Sequence, residues 1–115
     1  ASEKKMTELD RAPFGMNQLE ITLGLAITNL VVPGHLDFPA LIAKLATNPA
    51  RALKLSKGTL AIGADADITI IDPESQWQVK PQEFASLSTN TPFEGLTLTG
   101  RASTVLVSGE IKLQR

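Results

Sequence analysis

Few side chains in this sequence have the type and spacing to do chemistry. Its one histidine, His35, stands in a Pro33-Gly34-His35 turn with no second imidazole and no carboxylate at ligand spacing. A lone imidazole cannot build a three-ligand zinc site unless carboxylates supply the rest, so His35 reads as a surface or helix-entry residue. Asp65 and Asp67, two positions apart, suggest a paired-carboxylate site, but turn chemistry explains them more simply because Asp bonds nearby backbone amides. Serines and threonines are plentiful, yet there is no G-x-S-x-G elbow and no histidine placed for a triad. The glycines form neither G-x-G-x-x-G nor a Walker loop. Lys4, Lys5 and Arg11 read as solvated charges, and Trp77 as a strand residue packing on its sheet. No catalytic site and no metal site is completed by these residues.

One segment stands apart. Ala12-Pro13-Phe14-Gly15-Met16 puts a proline, an aromatic and a glycine just before an expected helix. Backbone amides exposed at a glycine-containing turn beside a helix start suit an anion or a carboxylate. A helix-entry turn with Phe14 as apolar anchor explains the same residues equally well.

The elements that must hold these residues change character near residue 57. From Asn17, the residues Leu19, Leu23, Ala26, Ile27 and Leu30 recur at helical spacing and predict one amphipathic helix, ended by Val31-Val32-Pro33-Gly34. Asp37 caps a second short helix with Leu41, Ile42 and Leu45 inward. Asn48 ahead of Pro49 predicts a separately capped third helix through Ala50 and Leu53. After Gly58 the period becomes two. Strands are expected at Thr59–Ile62, at Asp67–Ile71 stopped by Asp72-Pro73, and at Gln76–Val79. One helical turn is expected within Pro81–Leu87, and a hairpin over Ala102–Leu113 with Ser108-Gly109 as its loop. Three helices followed by five or six strands is an α+β order.

Composition narrows the class. The 115 residues carry 11 basic and 12 acidic side chains, a formal charge of −1, which leaves no basic surface for nucleic acid or an anionic membrane. With 43% apolar and 20% charged residues the chain reads as a globular domain with one core. It has no cysteine, which fits a cytoplasmic setting, and the apolar run Ile21–Val32 is too short to span a bilayer. A complete (β/α)8 barrel needs roughly 250 residues and does not fit.

Several motifs together resemble the C-terminal part of dihydroorotases, members of the cyclic amidohydrolases. They are Ala12-Pro13-Phe14-Gly15-Met16 with Leu19-Glu20, Thr47-Asn48-Pro49-Ala50-Arg51-Ala52, and Gly58 to Asp67 followed by Asp72-Pro73. Asn90-Thr91-Pro92-Phe93-Glu94-Gly95 and the glycine before the last hairpin, Gly100, complete the series in family order over nearly the whole chain. The A-P-F-G turn points most narrowly to dihydroorotase. One departure is Gln18, where the family usually has glycine before Leu19-Glu20.

The resemblance implies that residues 1–56 are the last loop and closing helices of a metal-dependent (β/α)8 barrel, truncated here. Residues 57–115 would be the C-terminal strands of a small β-sandwich. It implies a parent enzyme that interconverts N-carbamoyl-L-aspartate and dihydroorotate, with zinc polarising the ring amide and activating water. The H-x-H pair, bridging lysine, further histidines and catalytic aspartate of that family are absent here, so the piece alone is expected to be inactive. By resemblance Ala1–Lys5 follows the family's D-H-A-P-H segment, and the main chain of Pro13 and Gly15 would contact substrate. A non-catalytic dihydroorotase-like subunit that scaffolds aspartate carbamoyltransferase, or a hydantoinase or allantoinase relative, would show the same motifs. Either way the piece is expected to need the rest of its chain, leaving unpaired edges and an exposed helix face on its own.

Overall fold

A computed structural model describes Glu8 and residues 10–115. The expectation for Lys4 and Lys5 falls outside them. Helix α1, Thr22–Ala26, runs without a break into a wider π-helical turn, Ile27–Val31, which closes with the Val32 amide on the Ile27 carbonyl. It begins later than the apolar pattern from Asn17 suggests. Its buried face matches the expected one only in part: Ile27 is buried as expected, but the other buried positions are Ile21 and Gly24, whereas Leu19 is 85% exposed and Leu30 38%. A close backbone approach at Gly24, invisible to a count of apolar residues, sets that face.

Helix α2, Phe38–Ile42, starts as expected at Asp37, whose carboxylate accepts the Ala40 amide at 2.9 Å. The separately capped third helix is not observed. Instead α2 passes through a π-helical turn, Ala43–Thr47, into α3, Asn48–Ala52, and Thr47 is itself helical with no side-chain cap. The Asn48 amide reaches back five residues to the Ala43 carbonyl. This widened turn takes up Pro49, which has no N–H to donate and whose ring crowds an ordinary helical turn. Lys54, at φ 55, ends the helix in the left-handed conformation that usually falls to glycine.

Among the described residues three strands form one antiparallel sheet in the order β1-β2-β3: β1 Ile68–Gln78, β2 Thr97–Val107 and β3 Glu110–Gln114. Two expected strands, Asp67–Ile71 and Gln76–Val79, are largely one. Asp72-Pro73 does not stop β1 but sits in a bulge, where the pairing with β2 jumps between Asp72 and Gln76. The Asp72 carboxylate accepts the amides of Glu74 and Ser75, both at 3.1 Å, so the residues expelled from the ladder keep partners. The Thr59–Ile62 strand is not formed; residues 51–66 are exposed throughout and no described strand offers that segment a ladder. The hairpin is as expected, Ser108 and Gly109 both at positive φ (51 and 79), as a tight two-residue loop between twisted strands requires. Pro81–Glu83 forms a single helical turn.

Helix α1 lies across β2. A Cβ on Gly24 would stand 2.9 Å from the Trp77 ring, and one on Gly100 only 2.6 Å from Ile27 Cδ1. Glycine on each side therefore lets helix and strand backbones approach. The Thr28 hydroxyl accepts the Thr99 amide at 2.8 Å and lies 3.3 Å from the Thr99 carbonyl, to which it donates. Trp77 donates its indole N–H to the Gly100 carbonyl at 3.0 Å, and the Arg101 guanidinium lies 5.9 Å from its ring centre. Ile21, Val79 and Leu98 form the core, with Leu25, Phe84 and Phe93 packed around them.

Candidate functional site

The Ala12–Met16 turn lies directly ahead of α1. Gly15 takes φ +101, a backbone conformation other residues adopt only with strain, and a Cβ there would meet none of the described residues within 4 Å. The glycine is thus required by the direction of the chain rather than by crowding. Phe14 is fully exposed, so it does not act as an apolar anchor within these residues. Pro13 and Gly15 are both on the surface, and Gly15 borders an open groove of about 520 Å³ whose far side is Ser86–Ser88 and Asn90.

Two groups of hydrogen bonds bring that far side in from distant sequence. The Asn17 amide donates to the Asn90 carbonyl at 2.7 Å, its side chain donates to the Ser88 carbonyl at 2.5 Å, and Asn90 Nδ2 reaches the Gly15 carbonyl at 3.5 Å. One turn later, the Glu20 carboxylate accepts the amides of Ala85 (3.2 Å) and Ser86 (3.0 Å) and the Ser86 hydroxyl (3.1 Å). Desolvation pushes the Glu20 pKa up, but the Ala85 and Ser86 amides, the Ser86 hydroxyl and the Arg115 charge outweigh it and hold it below the ordinary value. Asn17, Glu20 and Asn90 carry no signal of this role in the sequence beyond lying inside motifs, because the partners are 65–75 residues apart.

The other residues singled out by type are placed as plain structure. His35 is exposed in its turn. Asp65 and Asp67 do converge, but on Lys57, whose ammonium lies 2.7 Å from one and 2.5 Å from the other. Bonds to Asp65 and then to Asp67 raise the Lys57 pKa; the Lys57 bond, then the Ser108 amide, lower that of Asp67. Asp67 thereby ties the β2–β3 turn to the segment after α3, with the Ser108 amide at 2.8 Å. Lys57 itself was not expected from the sequence; a cation eight and ten residues ahead of paired carboxylates is the signal that was there. Among the described residues no three histidines, cysteines or carboxylates converge to hold a metal ion. With one exposed imidazole, and with Asp65 and Asp67 already bonded to a lysine, the described residues do not fit a zinc centre. No described helix is long and apolar enough to cross a membrane.

Comparison with known proteins bears on the family and the fold. The amidohydrolase family pattern matches residues 4–112. The chain belongs to the amidohydrolase family. It is 48% identical over 112 residues to the dihydroorotase of Pelotomaculum thermopropionicum, covering 97% of this chain and 26% of that protein. It is 43% identical over 109 residues to the dihydroorotase of Clostridium acetobutylicum, covering 95% and 26%. Among solved structures, the L-hydantoinase of Arthrobacter aurescens superposes with a TM-score of 0.85 at 31% identity, over 92% of this chain and 24% of that one. The D-hydantoinase of a Thermus species superposes at 0.87 with 28% identity, over 98% and 26%. This amidohydrolase chain thus spans about a quarter of the length of the relatives it matches.

Proposed function

We propose that these 115 residues are the C-terminal part of a dihydroorotase, a cytoplasmic cyclic amide hydrolase that interconverts N-carbamoyl-L-aspartate and dihydroorotate in pyrimidine synthesis. The observation that carries the reading is likeness across nearly the whole chain to proteins named dihydroorotase, at 48% and 43% identity, against 31% and 28% for the hydantoinases of matching fold. Residues 1–56 are read as the closing loop and helices of a (β/α)8 barrel and residues 57–115 as strands of a β-sandwich. Zinc would be held by residues outside this segment. What this segment supplies is main chain: the Gly15 turn offers backbone groups at an open groove, and Pro13 and Gly15 are the substrate contacts in this reading.

The exposed apolar side chains support the reading that more protein covers this one. Leu19, Leu60, Ile62 and Leu87 are all at least 79% exposed, more large apolar surface than a self-sufficient small domain leaves to water. The test is turnover by the full-length protein that contains this segment, with dihydroorotate, hydantoin and allantoin as competing substrates. A kcat/KM for dihydroorotate well above the other two is expected. Preference for hydantoin or allantoin would overturn the substrate assignment, and no turnover of any ring would favour a non-catalytic subunit that scaffolds aspartate carbamoyltransferase.

A further inference from the structure

The Gly15 turn is held on one side by the start of α1 and on the other by a loop from the far end of the sequence. We propose that residues 85–90 act as a strap that sets the shape of this turn, with Asn90 and Glu20 as positioning residues for main-chain recognition of the substrate. The proposal rests on the reading of Pro13 and Gly15 as substrate contacts and extends it to residues that need not touch substrate themselves.

The geometry carries it. For a glycine at φ +101 whose Cβ position meets none of the described residues within 4 Å, polar ties to neighbouring segments help to set the conformation. Among the described residues, one loop supplies several such ties. Asn90 Nδ2 meets the Gly15 carbonyl at 3.5 Å and the Asn90 carbonyl accepts the Asn17 amide at 2.7 Å, so Asn90 grips the chain on both sides of Met16. Asn17 answers with its own side-chain donor to Ser88 at 2.5 Å. Asn90 is steadied in turn by its amide on the Ser88 hydroxyl at 3.3 Å. Glu20 fixes the other end of the same loop through the Ala85 and Ser86 amides, one on each carboxylate oxygen, together with the Ser86 hydroxyl. A turn that presents backbone groups must be held in register before the ligand arrives, because ordering it on binding subtracts from affinity. Loss of the strap should therefore weaken substrate binding more than it slows the bound complex.

The test uses the full-length protein with Asn90→Ala, which removes the donor to Gly15 but keeps the carbonyl for Asn17, and separately Glu20→Gln, which turns an amide NH2 toward a backbone donor. KM for dihydroorotate should rise about five- to tenfold in each, the size expected when one or two partly exposed hydrogen bonds are lost, with kcat within about twofold. The Asn17 amide should exchange with solvent faster in both variants, and the thermal midpoint should hold within a few degrees. Should Asn90→Ala fail to accumulate as folded protein, Glu20→Gln carries the test. An unchanged KM, an unchanged Asn17 exchange rate, or a fall in kcat at constant KM would overturn the proposal. If the unaltered protein does not turn over dihydroorotate, the substrate reading fails separately, and the exchange measurement still decides whether the strap orders the turn.

Discussion

Helix α1 meets β2 so closely that neither Gly24 nor Gly100 has room for one more carbon, whereas residues 51–66 are exposed from end to end. The two regions use opposite kinds of residue. The seam is made from a glycine on each side and a threonine hydroxyl that bonds across it, while the Trp77 indole N–H bonds the Gly100 carbonyl within the sheet. The exposed stretch carries Leu53, Leu55, Leu60 and Ile62 with little to pack against. Apolar content therefore does not mark the closed interface in this chain. Close backbone approach does, and the unsatisfied apolar residues mark where further protein is expected to sit.

The contrast can be broken most forcefully at Gly100. Gly100→Ala must place a methyl 2.6 Å from Ile27 Cδ1 at a backbone φ of +89. Overpacking and left-handed strain together should cost about 2–4 kcal/mol, read as a fall in urea midpoint. Gly24→Ala is a smaller test of the same seam, because helix propensity returns up to ~1 kcal/mol while the clash with Trp77 costs about 1–3 kcal/mol. A net loss is expected, since the Gly100 carbonyl at 3.2 Å cannot move as a side chain can. Thr28→Val keeps the shape and removes the hydroxyl, stranding the Thr99 amide, at a cost of about 1–2 kcal/mol by the same measurement.

In the open region the outcome should depend on what surrounds the segment. Ile62→Ser should change the stability of the isolated 115 residues by less than ~0.5 kcal/mol, because Ile62 is already fully exposed, while in the full-length protein it should be clearly destabilising. The isolated segment should also self-associate as its concentration rises, a trend that sedimentation would show.

The smallest effect belongs to the Lys57 clamp, which is open to solvent. Asp67 has a lowered pKa, so its contribution is complete above the ordinary value of 3.8 and disappears as pH falls through the lowered one. Lys57 has a raised pKa, so its contribution is complete below the ordinary 10.5 and disappears only as pH climbs through the raised value. The Ser108 amide resonance should therefore stay constant across neutral pH and shift only in strong acid or strong alkali. Salt should weaken the clamp without unfolding the sheet.

What could be read from the sequence was local in origin. The β2–β3 turn followed from Ser108-Gly109 and the start of α2 from Asp37, because each is settled within four residues. Pro73 misled for the opposite reason: a bulge exists only relative to β2, so its place in a continuous β1 was decided by the partner strand. The Thr59–Ile62 pattern is strand-like, but a strand also needs a ladder, and no described residues supply one. The buried face of α1 is only partly legible, at Ile27, because Gly24, which faces Trp77, has no side chain to count. At the site, Gly15 announced its turn, while Glu20, Asn17 and Asn90 depend on contacts across most of the chain and gave no local sign.

The most direct test compares amide hydrogen exchange of the same 115 residues alone and within the full-length protein. The α1–β2 seam, followed at the Thr99 amide, should be protected in both settings, whereas amides of residues 59–62 should become protected only in the full-length protein. Equal, fast exchange of residues 59–62 in both settings would contradict the claim that this segment is completed by further chain.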